Sequence, residues 1–315
     1  MLAAFRDGLD IHARNAARCF GIPESETRIR KVWLKGRLQP ARQGGKLITH
    51  PVNYGAREEK IGNEFRPWQG RPFDEVLAFV RRPENRSVVF KSLRLRHFAN
   101  ILNAIDRIAG KAEHWHRLYT AANTATAKGW VDAYFAEWPR MREYQEELIA
   151  RASRDGFITN AWGRKMRIHE WKHDTGGQRP ADVNDVIAFP GQGDAGEIAK
   201  GVLPAMDKVF EGCGGSLRLF VHDSFDGDIE AGREGEFVAA ARPALEREWP
   251  EMGEIDGFGL FKVPADFAFG ANWGKHPGDC KSPTPETCAC KNPGGLREWR
   301  PSDVRTELRS TPTGG

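Results

Sequence analysis

Arg42, Lys46, His50 and Tyr54 recur every four residues. On an α-helix four residues advance about 400°, so each side chain would lie only about 40° around the axis from the last. Two cations, an imidazole and a phenol would then line one face over about 18 Å. Such a face suits a nucleoside triphosphate. A guanidinium forks onto phosphate oxygens, an ammonium acts as a point charge, and flat rings stack on a sugar or base. A basic surface helix has the same spacing, so the pattern alone leaves both readings open. A second chemical segment is Val221-His222-Asp223-Ser224, which puts a carboxylate at the expected tip of a β-hairpin. Such an Asp can ligate Mg²⁺, and Asp is equally a common turn residue. Two more segments stand out, Gly8-Leu9-Asp10-Ile11-His12 and Phe189-Pro190-Gly191-Gln192-Gly193-Asp194-Ala195. Finally, His276, Cys280, Cys288 and Cys290 are a legitimate zinc ligand set in an uncommon spacing, with an unliganded tail as the alternative.

These residues need elements to hold them. Residues 3–20 have helical spacing, stopped by Gly21, Ile22 and Pro23. Residues 42–54 form the helix of the polar stripe, with Pro51 inside as an expected kink and Gly55 as its cap. Residues 65–73 read as a loop, and 92–154 as mostly helical. Leu95, Phe98, Ala99, Leu102, Ile105 and Ile108 form an apolar stripe there, and Pro139 breaks the pattern. A hairpin over 157–169 pivots on Gly163, and a helix covers 194–210. A second hairpin covers 216–230, with Leu217, Leu219 and Val221 on one face. A helix over 235–248 and a strand over 258–270 follow. Beyond Trp273 the composition turns to Gly, Pro, Ser, Thr and Lys, an irregular tail. Helices first and antiparallel strands later predict an α+β fold.

A chain of 315 residues is long enough for about two domains. Its net charge of +4 hides an asymmetry: residues 28–97 hold seventeen Lys/Arg and six Asp/Glu, so that window is +11 and the remainder −7. A basic block on an acidic body points to a polyanion partner. No apolar run reaches the ~18 residues of a membrane span, and the first twenty residues carry no leader-like stretch. Five cysteines, odd in number, exclude a disulfide scaffold and predict a reducing, cytoplasmic setting.

Taken together and in order, the four segments resemble family A DNA polymerases, the DNA polymerase I-like enzymes, in their phage forms. In that family a Gly-x-Asp-Ile-His segment follows the first catalytic motif, motif A. Motif B, the nucleotide-binding helix of the fingers, reads Arg-x3-Lys-x3-aromatic-x3-Tyr-Gly. Gln-Gly-x-Ala precedes the palm helix, and His-Asp belongs to motif C. The resemblance spans residues 1–275 and implies a right-hand polymerase fold. Residues 1–155 would be fingers with the nucleotide helix at 42–55. Residues 156–275 would be palm with the motif C hairpin at 216–230, leaving 276–315 as the cysteine-containing tail.

The resemblance implies template-directed DNA synthesis from dNTPs on primer-template DNA by two-metal phosphoryl transfer with Mg²⁺. Asp223 matches the motif C metal ligand. Arg42 and Lys46 match the triphosphate grip, with Lys46 also placed to protonate the leaving pyrophosphate. His12 matches a residue near the outer phosphates, His50 the ring on the sugar and base, and Tyr54 with Gly55 the template-side end of the helix. Gln192 and His222 match primer-template contacts, with Arg164 and Ser224 as weaker ones. The departures are specific. His50 replaces Phe or Tyr, Ser224 replaces Glu, and Asn184 and Ala188 stand where the family has Arg and Asn. No motif A segment, with its second catalytic Asp, occurs in the sequence, nor do the thumb and exonuclease. One carboxylate of two is not a working two-metal site. The chain is then one part of a split polymerase whose partner chain carries motif A, thumb and exonuclease, or the carboxy-terminal part of a longer one. A non-catalytic DNA-binding remnant and a fragment of a single-subunit phage-type RNA polymerase, which shares His-Asp-Ser-Phe, are the alternatives.

Overall fold

The computed structural model describes residues 9–35, 37–95, 97–174, 177–255, 259–274 and 295–299. The chain divides into two compact units, residues 1–191 and 192–315. The zinc candidates His276, Cys280, Cys288 and Cys290 and most of the tail lie outside the described residues.

The first unit is helical with small hairpins. Helix α1 spans Ile11–Phe20, and strands β1 (Lys31–Leu34) and β2 (Arg37–Pro40) form a hairpin. Helix α2 spans Ala41–Asn53. Helices α3 (Glu58–Phe65), α4 (Phe73–Arg81), α5 (Arg86–Ser92) and α6 (Ile101–Ala109) lead to the long α7 (Trp115–Glu137) and to α8 (Pro139–Asp155). Two antiparallel hairpins follow, β3 (Phe157–Thr159) with β4 (Lys165–Arg167) and β5 (Trp171–Asp174) with β6 (Gly177–Pro180). Helix α9 spans Val183–Gly212, and the division between the units falls inside it.

Helix α7 organises this unit. Its amino-terminal half gives Leu118, Ala121 and Ala122 to a cluster with Val76, Val80, Val89, Ile101 and Ile105. Its carboxy-terminal half gives Trp130, Val131 and Tyr134 to a second cluster with Ile11, Leu34, Ile48, Val52 and Phe65. A helix apolar on most sides belongs in an interior. Pro139 opens α8 at a position where its missing amide costs nothing, so α7 ends at Glu137. Gly156, at φ 74°, closes α8 in the left-handed conformation.

The second unit packs Met206, Phe210 and Cys213 of α9 and its end against Phe237 and Ala241 of α10 (Glu234–Leu245), with Leu217, Phe225 and Phe269 alongside. Before α10, β7 (Ser216–Val221) pairs antiparallel with β8 (Ser224–Asp228). After it come β9 (Trp249–Ile255) with β10 (Gly259–Phe261), and β11 (Ala268–Phe269) with β12 (Arg297–Glu298). Every ladder among the described residues is a two-stranded antiparallel one, so the class is α+β as the sequence predicts. Among the described residues no helix is long and apolar enough to cross a membrane.

Several expectations need correction. Asp10 is extended and caps α1, so of the helix expected over 3–20 residues 9 and 10 are not helical, residues 11–20 are, and residues 3–8 lie outside the described residues. On α6 the inward face is Ile101, Ile105 and Ile108; Phe98 and Leu102 are exposed. Helix α9 begins eleven residues before the expected 194, so Gln192 lies within a helix. A register shift between Leu217 and Leu219 interrupts the alternation on β7, and Leu219, Phe220 and Val221 are exposed. The expected strand over 258–270 is two short strands, and β9 was not foreseen.

Candidate active site

Helix α2 sorts its residues by face. Ala41, Gly44, Gly45, Ile48, Thr49 and Val52 are buried, while Lys46, His50 and Tyr54 are exposed and Arg42 is half-buried. The four-residue stripe therefore lies on the open side of the helix. Behind it, Gly45 permits backbone contact with α1. A Cβ there would sit 2.3 Å from the His12 carbonyl oxygen and 2.8 Å from the Ala16 amide nitrogen. The paired glycines were the signal for this approach, because glycine inside a helix is costly unless something needs the room.

That approach brings His12 to the stripe. The His12 and His50 rings stack with centroids 6.0 Å apart. The His12 Nδ1 is buried with no hydrogen-bond partner among the described residues. Burial first, then Arg42 and His50, hold the His12 imidazole below the usual 6.5; Asp10 pulls the other way, and Lys46 adds to the depression. Arg42 pairs with the Asp10 carboxylate, and Arg28 reaches the same oxygen at 3.0 Å. Burial alone would raise the Asp10 carboxyl. Hydrogen bonds from Arg42, the Ala13 amide and Arg28 outweigh it and hold the group at about 2. Lys46 makes no hydrogen bond or ion pair to another described residue.

Polar side chains far away in sequence lock this arrangement. Asn15 of α1 donates to the Thr49 hydroxyl at 2.7 Å and accepts the Trp138 indole N–H at 2.7 Å. Gln145 of α8 donates at 2.8 Å to the Val52 carbonyl, one of the acceptors that a helix end leaves without an internal partner. The Tyr134 hydroxyl donates to the Asn53 side chain. Gly55 takes φ 79° just past the helix, and a Cβ there would meet Ile187 Cδ1 at 2.6 Å and Asn184 Oδ1 at 3.0 Å. Arg164 lies in the β3–β4 turn, its amide donating to Asn160 Oδ1 at 2.8 Å.

In the second unit, the Val221–Ser224 pair leaves His222 and Asp223 as a two-residue turn. His222 takes φ 57°, a left-handed conformation that a non-glycine residue adopts at a cost. All of His222, Asp223 and Ser224 are exposed, and Gln192 is exposed on α9. The Ser224 hydroxyl lies 3.0 Å from an Asp226 oxygen and 3.2 Å from the Val221 carbonyl. Asp228 is tied to Arg218 at 2.6 Å. Asp223 has no such partner among the described residues and fits one ligand of a hydrated Mg²⁺. A two-ion centre does not fit these residues alone. No group of three or more His, Cys, Asp or Glu able to hold a metal occurs among the described residues.

The structure thus gathers His12, Arg42, Lys46 and His50 in the first unit, with Tyr54 one turn on, and His222, Asp223 and Ser224 in the second. Comparison with known proteins gives this arrangement its context. The DNA polymerase I of Pseudomonas aeruginosa is 26% identical over 151 residues, 47% of this chain and 15% of that protein. The thermostable DNA polymerase I of Thermus thermophilus is 19% identical over 251 residues, 79% of this chain and 22% of that one. Among solved structures, the POL domain of Pol1 from M. smegmatis, in complex with DNA primer-template and dNTP, matches with a TM-score of 0.48 and 19% identity. That match covers 78% of this chain and 32% of the other. The chain spans less than a quarter of the length of these two curated relatives. The family described as DNA polymerase family A matches residues 115–275, a segment that contains the Asp223 hairpin and begins after the α2 stripe. That segment is just over half of the chain, which therefore belongs to DNA polymerase family A.

Proposed function

We propose that this chain carries the nucleotide-binding fingers (residues 1–155) and the motif C palm (156–275) of a template-directed DNA polymerase. The observation that carries the reading is the exposed face of α2, where Lys46, His50 and Tyr54 stand beside half-buried Arg42 with His12 packed alongside. Two cations on one rigid helix, Arg42 and Lys46, with His12 from α1 beside them, match the oxygens of a dNTP triphosphate. In the reaction the primer 3′-oxygen forms a bond to the α-phosphorus and the bond to the departing pyrophosphate breaks. Arg42 and His12 hold the outer phosphates. Lys46 carries a proton that the leaving oxygen can take. The His50 ring packs on the sugar and base, and Tyr54 and Gly55 abut the template base. Asp223 would ligate a Mg²⁺, which when bound would stabilise charge on the transferring phosphate, and Gln192, His222, Ser224 and Arg164 contact the primer-template. The second carboxylate of a two-ion centre, with thumb and exonuclease, belongs in this reading to a further N-terminal part of the same polymerase or to a partner chain.

Primer extension tests it. The chain mixed with a polypeptide supplying the missing catalytic carboxylate should incorporate deoxynucleotides on a primed template, and Asp223→Ala should reduce that to background. The lack of a second metal carboxylate among the described residues favours one other reading, a non-catalytic DNA-binding remnant. Its signature is salt-sensitive DNA binding, no extension with any partner, and no effect of Asp223→Ala.

A further inference from the structure

Asp10 uses its two oxygens for different tasks. Oδ1 accepts the Ala13 amide at 3.0 Å and so caps α1. Oδ2 accepts Arg42 Nε and, at 3.0 Å, Arg28 Nη2. Arg42 is thus gripped through Nε alone, and neither of its Nη groups bonds another described residue. An arginine anchored this way keeps its outer fork free for a phosphate. Its backbone is fixed too, with the Arg42 amide donating at 2.8 Å to the carbonyl of fully buried Thr27. Against the single charge of Asp10 stand Arg28, Arg42 and Lys46, so positive charge remains in excess for an incoming polyanion. The unpartnered Nδ1 of His12 lies in the same cluster.

We propose that Asp10 is the positioning residue of the triphosphate site. It holds Arg42 by Nε so that both Nη groups serve the phosphates, and it recruits Arg28 as a further cation for the outermost phosphate. This rests on the reading of α2 as a triphosphate-binding helix. It adds two residues, Asp10 and Arg28, that the four-residue spacing does not contain.

The test is equilibrium binding of dTTP and of inorganic tripolyphosphate to the full chain, by calorimetry. Asp10→Asn is the informative variant, because Asn caps a helix as well as Asp does while removing the charge. Its fold, read by circular dichroism, should match wild type, while its melting temperature at neutral pH should fall because the ion pairs to Arg42 and Arg28 are lost. Its affinity for both probes should fall about tenfold, a coupling typical of groups in one hydrogen-bonded network. In an Arg42→Ala background the same change should do nothing more, whereas a purely structural role would weaken both backgrounds alike. Arg28→Ala should cost about threefold, the scale of an exposed ion pair. Wild-type affinity in Asp10→Asn would overturn the proposal. Tighter binding would also overturn it, by showing that the carboxylate competes with phosphate for Arg42. If Lys46→Ala binds both probes as well as wild type, the triphosphate reading of α2 falls, and Asp10 has nothing to position.

Discussion

Gly45 offers a sharp test of how the candidate site is built. A Cβ at this position lies 2.3 Å from the His12 carbonyl oxygen and 2.8 Å from Ala16 N and Cβ. A relaxed carbon–oxygen contact is about 3.3 Å, so α1 and α2 would have to part by about 1 Å. Overpacking of this kind costs about 1–3 kcal/mol, and backbone atoms, which cannot rotate aside, put it near the upper end. Alanine's better helix propensity returns about 1 kcal/mol. Gly45→Ala should therefore destabilise by about 2 kcal/mol. The matched control is Gly129→Ala in α7, where nothing lies within 4 Å of the new Cβ. There the propensity gain stands alone, and the protein should become about 0.5–1 kcal/mol more stable. Urea unfolding midpoints at neutral pH would measure both. The same substitution in two helices should thus move stability in opposite directions. A Gly45→Ala protein as stable as wild type would refute the claim that the helices meet at this glycine. It should also bind dTTP more weakly, because the His12–His50 spacing depends on that contact.

Three further outcomes follow from the same geometry. Trp138→Phe removes the N–H that reaches Asn15 and strands a buried acceptor, so it should cost about 1–3 kcal/mol, read from the urea midpoint. His222→Gly relieves the left-handed turn and should stabilise the second unit by about 1 kcal/mol, seen as a raised melting temperature. The His12 value is depressed on folding, so the unfolded chain binds more protons below its ordinary 6.5; stability should fall as pH drops through that value, and His12→Gln should flatten the fall.

Spacing alone made the α2 stripe legible, because a helix fixes the angular relation of residues four apart. Gly55 and Pro139 were legible for a similar reason: each has few backbone options, and each stands where a helix ends. The start of α9 was not. Pro190, Gly191 and Gly193 argue against a helix locally, yet the segment is helical and Val186 and Ile187 are buried on it. The residues that lock the site were invisible as well. Trp138 meets Asn15 across 123 positions and Gln145 meets Val52 across 93, and nothing in a polar residue's type tells which distant backbone it will find. Asp10 was noticed within its segment, but its grip on Arg42 and Arg28 needed coordinates.

Because α7 contributes to two hydrophobic clusters, neither can come apart while the other keeps the helix whole. Opening its middle turns, near Ala121 to Val131, requires both clusters to dissolve together. Amide hydrogens there should exchange with solvent only through global unfolding, more slowly than those of α4 or α6, each of which serves one cluster. The clusters around α7 then fold and unfold as one cooperative body, and the exposed face of α2, which carries Lys46 and His50, inherits the rigidity of that whole.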